Sequence, residues 1–316
     1  MRIDNSAAND HRVCPWLYYE KYEKEGTGLE LIQKDEKVRP MDLGTRVHEL
    51  LEEHYRTLKG EPREPYLFSD NEPLEEEAQW IYQAYRAHYP IEDFKVLDVE
   101  RTFEVALPDY CPKCFALHSE IRDSGLLTCL DCGYWDWNPG RHTYTGKIDV
   151  LYEQNGELYI MDHKTEKRTA KSNLPQKWAA RDQGTQYLWA AEKIYGKPIN
   201  RFIVNVIRRP SPAGREGPEF PERQRIERTE IQIDTALRDL VYEADLIEKH
   251  KATFGEKPWP AHRENCFTWG QCEFYQPHLY GWSDAIRRHK YQNRKPYLDL
   301  GGVQLRLDLG GVPIIQ

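Results

Sequence analysis

The dipeptide Asn155-Gly156 constrains the fold of this chain more than any other feature, because it joins two β-rich runs of residues. Asn-Gly between such runs is the strongest short-range signal for a two-residue hairpin turn. With these residues as the turn, the numbers of cross-strand partners sum to 311, which places Asp149 opposite Asp162. Opposed side chains on antiparallel strands have Cβ atoms about 4.5–5.5 Å apart. The sequence therefore predicts two carboxylates that face each other on one hairpin.

Lys164 follows Asp162 by two residues, so it is predicted to point to the same side of the strand. Two carboxylates at this distance can share one hard divalent cation such as Mg²⁺, and they repel each other unless a cation or proton lies between them. The pattern favours metal-assisted attack on a phosphodiester. The alternative is a surface hairpin with solvated acids, whereas the apolar residues on both faces of the hairpin favour a buried sheet.

The composition is that of a globular chain of one large domain or two smaller ones, with 316 residues, of which 39% are hydrophobic and 30% charged. The sequence contains no apolar run of transmembrane length and does not begin with a signal peptide, which predicts a soluble, cytoplasmic protein without a membrane partner. The net charge of −8 does not favour nonspecific nucleic-acid binding by the whole molecule. A local basic groove remains compatible with it. The basic residues that either line such a groove or are ordinary solvated side chains are Lys164, Lys167, Arg168, Lys171, Lys177 and Arg181.

The hydrophobic periodicity predicts the order helix, strand, strand, strand, helix, strand, which is typical of a mixed α/β core with a sheet flanked by helices. The predicted helices span about 43–58, 73–88, 176–195 and 227–251, and the predicted strands outside the hairpin span 96–107 and 201–207. Three regions follow from this order: an N-terminal helical region at 1–95, the core at 96–208, and a C-terminal helical region at 209–316. A short repeat near 298–302 and 307–311 predicts either a β-hairpin or a flexible end.

Four of the seven cysteines form two CxxC pairs inside an insert at about 109–140. The four residues are Cys111, Cys114, Cys129 and Cys132. Two such pairs separated by a short loop are a strong zinc-ribbon signature, because four thiolates complete a tetrahedral Zn²⁺ site. We expect a structural zinc that folds an insert too small to hold its own core. The alternative is four unrelated free cysteines.

Four motifs, two of them in the hairpin, occur in the order and approximate spacing of the RecB-type nucleases, a branch of the PD-(D/E)XK superfamily, and the resemblance spans about residues 10–280. These motifs are Gly44-Thr-Arg-Val-His48, Gly146-Lys-Ile-Asp149, Asp162-His163-Lys164 and Gln183-Gly-Thr-Gln186-Tyr187. Ile148 stands where some members have proline. The resemblance implies a restriction-endonuclease-like mixed sheet flanked by helices.

The resemblance also implies roles for the motif residues. Asp149 and Asp162 would ligate Mg²⁺ or Mn²⁺ together with the backbone carbonyl of His163. Lys164 would orient or activate the attacking water, and His48 would be a further ligand or a wall of the site. Gln183 and Tyr187, one helical turn apart, would contact the DNA backbone or steady the site. The alternatives are a surface histidine at 48, ordinary helix residues at 183 and 187, and a plain salt bridge for Lys164.

Members of this branch, including helicase-linked and CRISPR-associated exonucleases, often carry a [4Fe–4S] cluster that joins the two ends of the chain. Cys14 resembles the N-terminal ligand and Cys272 one of the C-terminal ligands, whereas Trp269 and His278 stand at the other two positions and Cys266 lies three residues before Trp269. Three thiolates with His278 would hold either an iron–sulfur cluster or zinc. In the alternative, the cluster has been lost and aromatic residues pack in its place. With metal, the site would form a helical clamp between the two ends.

These features together predict a metal-dependent DNA nuclease, either an exonuclease or an endonuclease, that acts on single-stranded or duplex ends in recombination, repair, phage DNA processing or defence. The sequence contains no helicase motif, so a motor would be a separate partner. One alternative is a catalytically inactive nucleic-acid-binding module of the same fold. The other is a nuclease that acts on RNA, because the same site chemistry serves both substrates.

Overall fold

The computed structural model describes the chain in nine ranges. They are residues 1–32, 40–62, 72–117, 119–166, 177–178, 180–199, 201–210, 216–268 and 271–294. The predictions on Trp269, on Lys167, Arg168 and Lys171, and on the C-terminal repeat lie outside them. Every helix within these ranges is too short or too polar to span a bilayer.

The described residues form a mixed α/β structure. The helices are α1 (Asn5–Val13), α2 (Pro15–Tyr18), α3 (Pro40–Lys59), α4 (Glu72–His88), α5 (Asp182–Tyr195), α6 (Glu230–Phe254), α7 (Tyr275–Tyr280) and α8 (Asp284–Lys290). The strands are β1 (Arg2–Ile3), β2 (Leu29–Leu31), β3 (Lys95–Ala106), β4 (Ser119–Ile121), β5 (Leu127–Cys129), β6 (Trp135–Trp137), β7 (Thr143–Gln154), β8 (Glu157–Glu166), β9 (Arg201–Arg208), β10 (Gln224–Glu227) and β11 (Tyr291–Asn293). A π-helical turn (Tyr19–Glu23) and 3₁₀ turns (Lys24–Gly26 and Arg263–Phe267) connect some of them.

The predicted order of helices and strands is confirmed for the elements that the sequence periodicity marks, with end points that move by a few residues. The helix α5 begins at Asp182, the pair 177–178 before it is also helical, and the predicted start at residue 176 lies outside the described residues. The helix ends as predicted, because Gly196 adopts a left-handed conformation at φ 63° directly after Tyr195.

The chain divides into two compact units. One unit comprises Met1–Lys34, Glu104–Gly146 and Asp234–Gln316, and the other comprises Asp35–Phe103 and Lys147–Ile233. We call them the cysteine unit and the sheet unit, because all seven cysteines belong to the first and most of the central sheet to the second. The division into regions 1–95, 96–208 and 209–316 stays a prediction.

The hairpin of β7 and β8 forms the centre of the sheet unit. Asn155 and Gly156 both have positive φ, 54° and 81°, as a two-residue turn of type I′ requires. The pairs run from Gln154 with Glu157 to Val150 with Met161, so the predicted register is confirmed. Strand β9 pairs with β8 in parallel and β10 with β9 antiparallel, while β3 pairs with β7. The sheet is therefore mixed, as predicted.

Helices cover both faces of this sheet. Alternate residues of β9 point to opposite faces: Phe202 meets α5 at Gly184, and Ile207 packs with apolar residues of α3 and α4. A second apolar cluster on the α3 side joins Tyr55 to Val150, Met161 and other residues of the sheet. The sheet is thus buried from both sides, which places the end of the hairpin next to α3.

The cysteine unit consists of short elements. Strand β1 pairs in parallel with the first residues of β7, and β11 pairs antiparallel with β2. The insert forms a separate three-stranded antiparallel sheet in the order β4-β5-β6. Its small core contains Leu127 and Trp137 beside Cys111 and Cys129.

Candidate active site

The hairpin brings Asp149 and Asp162 together one position beyond its last paired residues, Val150 and Met161. The backbone N–H of His163, which would extend the ladder, donates instead to Asp149 Oδ2 at 2.8 Å. Both carboxylates are buried, with 7% of Asp149 and 3% of Asp162 exposed. Burial raises the pKa of both side chains, that of Asp162 to about 6. A raised pKa in both acids indicates that a bound cation or proton would stabilise the pair.

Lys164 lies on the same side of β8 as Asp162, as its spacing predicts. Its Nζ is 2.6 Å from Asp162 Oδ2, and 22% of the side chain is exposed. A partly exposed ammonium group therefore lies directly beside a buried carboxylate.

His48 extends from α3 toward the same acids. Its Nδ1 is 3.6 Å from Asp149 Oδ2, and its ring lies edge-on to that of His163 at a centroid distance of 6.0 Å. Desolvation, assisted by the charge of Lys164, lowers the pKa of His48 to about 4. The imidazole is therefore neutral near pH 7 and keeps a lone pair for a metal ion.

Glu100 also belongs to this site, although the sequence analysis did not single it out. Ligand atoms of His48, Glu100 and Asp149 all lie within 4.8 Å of one another. Glu100 lies in β3 with φ at 52°, a left-handed conformation that is strained for glutamate and recurs at functional sites. Burial, and then the charge of Asp149, raises its pKa to about 8, while Lys147 contacts its carboxylate. The available sequence signal was an acidic residue inside an otherwise β-prone run.

The acids of this cluster outnumber the lysines that contact them among the described residues. Lys147 contacts Glu100 and Lys164 contacts Asp162, while Asp149 lies with them. When all three are ionised, Glu100, Asp149 and Asp162 carry one more charge than the two ammonium groups, and buried charge without compensation is costly. Carboxylate and carbonyl oxygens are the donors that Mg²⁺ and Mn²⁺ prefer. The donor set therefore fits a hard divalent cation.

Gln183 and Tyr187 lie one turn apart near the start of α5 and contact each other, with Gln183 Nε2 donating to the Tyr187 hydroxyl at 3.3 Å. The Tyr187 ring packs against Phe103 and Phe202, and 8% of Tyr187 is exposed. The two side chains share one face of the helix, as their spacing predicts. Their role toward DNA stays a prediction.

The four cysteines of the insert converge in the cysteine unit. Their sulfur atoms all lie within 4.8 Å of one another, with Cys111 and Cys132 at 3.7 Å and Cys114 and Cys129 at 3.5 Å. A tetrahedral site with Zn–S bonds of about 2.3 Å places its sulfur atoms about 3.8 Å apart. A disulfide would require about 2.05 Å. The spacing therefore fits four ligands around one Zn²⁺.

The second group of potential ligands, Cys14, Cys266, Cys272 and His278, is less compact than the first. Cys266 Sγ is 3.9 Å from His278 Nδ1, and Cys14 Sγ accepts a hydrogen bond from the backbone N–H of His262 at 3.4 Å. Burial raises the pKa of Cys272 to about 11. Within the described ranges, two groups have three or more potential ligand atoms within 4.8 Å of one another: the four cysteines of the insert, and His48 with Glu100 and Asp149. The residues of the second group, Cys14, Cys266, Cys272 and His278, are therefore not as close together as the four cysteines of the insert.

Comparisons with known proteins place the chain in a family. No curated protein matches its sequence. A solved structure titled "Crystal structure of SSO0001" is similar at a TM-score of 0.29 and 12% identity, over 68% of this chain and 78% of that one, and likeness at this level does not bear on function. The model of the PD-(D/E)XK nuclease superfamily matches residues 5–276. This match covers both acids, the lysine and all seven cysteines. The chain therefore belongs to the PD-(D/E)XK nuclease superfamily.

Proposed function

We propose that this protein is a metal-dependent deoxyribonuclease of the RecB-type branch, an exonuclease that hydrolyses phosphodiester bonds at DNA ends. The observation that supports this most is the contact of Lys164 with Asp162 at 2.6 Å, at the hairpin end that also holds Asp149. A lysine beside paired buried acids serves hydrolysis of a phosphodiester better than it serves binding alone, because binding does not require buried carboxylates that repel phosphate.

The metal site would use three groups of the hairpin and one of α3, with Glu100 of β3 beside them. Asp149, Asp162 and the His163 carbonyl oxygen would hold Mg²⁺ or Mn²⁺, with His48 as a further ligand. When bound, such an ion neutralises phosphate charge and lowers the pKa of its bound water. The neutral state of His48 supports its role as a ligand, because protonated imidazole cannot coordinate a metal.

Lys164 has two roles in this proposal. Its ammonium group orients the attacking water, and it stabilises the negative charge that develops on the phosphoryl oxygens. Its partial exposure supports this, because the ammonium group is held beside Asp162 and still faces solvent, from which a substrate would approach. Gln183 and Tyr187 would contact the DNA backbone or steady the site from α5.

The cysteine sites are structural in this proposal. Cys111, Cys114, Cys129 and Cys132 would hold one Zn²⁺ that folds the insert. Cys14, Cys266, Cys272 and His278 would hold a [4Fe–4S] cluster or zinc and so join the two ends of the chain. A helicase or recombination protein would be a partner that supplies DNA ends.

The test is degradation of end-labelled DNA by wild type, Asp162→Ala and Lys164→Ala, each with Mg²⁺, Mn²⁺ or EDTA. We expect activity from wild type only with metal, and a loss of about 10²- to 10³-fold in Lys164→Ala, as for removal of one electrostatic donor in other hydrolases. Lys193→Ala, an exposed lysine of α5, is the matched control and should cleave as wild type does.

A comparison of several substrates distinguishes an exonuclease from an endonuclease, a ribonuclease and a non-catalytic binding module. Single-stranded DNA, blunt duplex, covalently closed circles and RNA of equal length are compared. Resistance of the circles identifies an exonuclease, and cleavage of RNA alone identifies a ribonuclease. Equal activity in wild type and both active-site variants contradicts the assignment of the site. DNA binding without cleavage under any metal identifies a non-catalytic module.

A further inference from the structure

A chain of buried hydrogen bonds runs from His163 to the Arg223–Glu92 ion pair on the α3 and α4 side of the sheet. Asn205 is the cross-strand partner of His163 in the parallel pairing of β8 and β9, and its Nδ2 lies 2.9 Å from His163 Nδ1. The same Nδ2 donates to the Tyr85 hydroxyl at 2.9 Å. The Tyr85 hydroxyl is 2.7 Å from that of Tyr55, which donates to Glu92 Oε1 at 2.8 Å. Arg223 closes the chain, because its Nη2 donates to the Tyr85 hydroxyl at 3.0 Å and its Nη1 donates to Glu92 Oε2 at 2.8 Å.

The donors and acceptors of this chain have a single consistent direction. Tyr55 uses its only proton on Glu92, so the proton between the two hydroxyls must come from Tyr85. Tyr85 then accepts from Asn205 and from Arg223. The amide nitrogen of Asn205 can only donate, so His163 Nδ1 must accept, which puts the ring proton on Nε2.

The polar side chains of this network are buried in positions where apolar side chains would avoid the free-energy cost of desolvation. Asn205, Tyr55 and Tyr85 are each 0% exposed, and His163 is 2% exposed. Asn205 lies between apolar neighbours of β9, since the strand is otherwise buried Val, Ile and Phe. Among the described residues, Asn205 Oδ1, His163 Nε2 and Arg223 Nε have no hydrogen-bond partner, whereas the hydroxyls of Tyr55 and Tyr85 are fully used. Buried polar groups that are paired in this way restrict the core to one arrangement. The network therefore holds the His163 imidazole in a fixed position, with Tyr55 stacked on its ring at a centroid distance of 5.4 Å.

The main chain of His163 is where the network meets the acids. Its N–H donates to Asp149 Oδ2 at 2.8 Å. Its carbonyl is the third hairpin ligand in the proposed function. A rotation or shift of this residue would therefore move its carbonyl and the N–H that holds Asp149.

We propose that Asn205 is a positioning residue for the divalent-metal site, which it acts on through His163 and the chain of Tyr85, Tyr55, Glu92 and Arg223. The inference rests on the metal site of the proposed function, but it does not require that the protein cleaves DNA. Asn205 touches no substrate and no ligand side chain. It sets the orientation of the residue whose N–H and carbonyl organise the ligands.

The test measures Mn²⁺ binding by calorimetry to the full chain, in wild type, Asn205→Leu and Asn205→Asp. Leucine removes both hydrogen bonds, whereas aspartate keeps the shape but cannot donate to His163 Nδ1. We expect Mn²⁺ affinity to fall about 10- to 100-fold in both, as for loss of hydrogen bonds behind other metal sites. Thr185→Val is the matched control, because Thr185 is 3% exposed and accepts a hydrogen bond from Arg228 at 2.6 Å. It should bind Mn²⁺ as wild type does.

A second readout separates positioning from loss of structure. Two-bond ¹⁵N–¹H spectra report the tautomer of each histidine, with the His163 signal assigned by its absence in His163→Gln. We expect the Nε2–H tautomer in wild type and a change of tautomer or mixed tautomers in Asn205→Asp. If Asn205→Leu does not fold, Asn205→Asp and Tyr85→Phe decide the outcome, with thermal unfolding in EDTA to verify the fold.

The outcomes distinguish this inference from the proposed function. Wild-type Mn²⁺ affinity in folded Asn205→Asp, or an Nδ1–H tautomer in the wild type, overturns the positioning role even if the protein cleaves DNA. Weakened Mn²⁺ binding in the Asn205 variants of a protein that cleaves no nucleic acid supports the positioning role and overturns the proposed function alone. A wild type that binds no Mn²⁺ overturns both.

Discussion

The backbone N–H of His163 donates a hydrogen bond of 2.8 Å to Oδ2 of Asp149. This contact stands where the next bond of the β7–β8 ladder would form, so one carboxylate oxygen takes the place of a backbone carbonyl. The bond fixes the rotation of Asp149 relative to the His163 peptide. An aspartate and a carbonyl that are both proposed as metal ligands are thus held together before any metal binds, and such preorganisation lowers the cost of binding.

Glu100→Gln should weaken metal binding while it leaves the fold intact. Glutamine keeps the size of the side chain but removes the charge from the cluster of His48, Glu100 and Asp149, whose ligand atoms lie within 4.8 Å of one another. We expect Mn²⁺ affinity to fall about tenfold or more, as for loss of a charged partner at other metal sites. Calorimetry measures it, with Glu104→Gln in the same strand as the control, and unchanged affinity in Glu100→Gln removes Glu100 from the site.

Asp162→Asn should stabilise the metal-free protein. Burial raises the pKa of Asp162 to about 6 from 3.8, so between these pH values the folded state holds a proton that the unfolded state has lost. The free energy of unfolding therefore falls as pH rises through this window and stays low above it. A pKa shift of this size corresponds to a loss of about 3 kcal/mol at most in the free energy of unfolding. Asparagine does not ionise, so the variant does not lose this free energy.

Thermal unfolding at pH 5 and pH 7.5 tests this, in EDTA and in Mn²⁺. In EDTA at pH 7.5, Asp162→Asn should unfold at a higher temperature than wild type. We expect its free energy of unfolding to be higher by about 1–3 kcal/mol. In Mn²⁺ the wild type should gain stability from the bound ion and the variant should not. A variant that is less stable than wild type in EDTA would show that the pair with Lys164 outweighs the cost of burial.

Loss of one ribbon cysteine should unfold the insert. Cys129→Ser removes one of four sulfur atoms that lie within 4.8 Å of one another, and ribbons of this kind fold only with metal. We expect elemental analysis to find the ribbon's zinc in wild type but not in Cys129→Ser, and trypsin to cut the variant at Lys113 and Arg122. Cys14→Ser should keep the zinc of the ribbon. Equal digestion of wild type with and without a chelator contradicts the structural role.

Elemental analysis of the same proteins also determines what Cys14, Cys266, Cys272 and His278 bind. Iron and sulfide that disappear together in Cys14→Ser identify a [4Fe–4S] cluster, and an additional equivalent of zinc identifies a zinc site. Absence of both leaves aromatic packing, which the contact of Trp16 with His278 at a centroid distance of 4.6 Å already provides.

Gly184→Ala should destabilise the sheet unit, because a Cβ at this position would lie 2.6 Å from Cδ1 of Phe202. We expect a loss of about 1–3 kcal/mol, as for overpacking in other cores. Gly44→Ala is the matched control, since its Cβ would meet Thr165 at an ordinary 3.9 Å and alanine favours a helix by about 1 kcal/mol. Chemical denaturation measures both, and equal stability of Gly184→Ala and wild type would show that Phe202 can move away.

The hairpin and its register could be predicted from sequence because both are local. Asn155 and Gly156 accept the positive φ values that a type I′ turn requires, and the turn then determines every pair along the two strands. The same holds for the placement of Lys164 beside Asp162, which follows from the alternation of side chains along one strand. The CxxC spacing is equally local, and the four sulfur atoms meet as it predicts.

Glu100 and Asn205 could not be predicted in this way. Glu100 joins the site because β3 pairs with β7, and its left-handed φ gives no periodic signal in the sequence. Asn205 meets His163 because β9 pairs with β8 in parallel, over a separation of 42 residues. The register of parallel strands is not set by a short turn, so it depends on how the crossover helix packs.

The sequence by itself determined the acidic hairpin, the neighbouring lysine, the cluster of four cysteines and the membership of a nuclease superfamily, because each depends on residue types at short, fixed spacings. Only the tertiary structure decided which distant residues complete the site. Gly184 lets α5 approach Phe202 closely, and with β9 held in this register Asn205 lies beside His163. Packing between elements that are far apart in the chain fixes these contacts, and no local pattern encodes it.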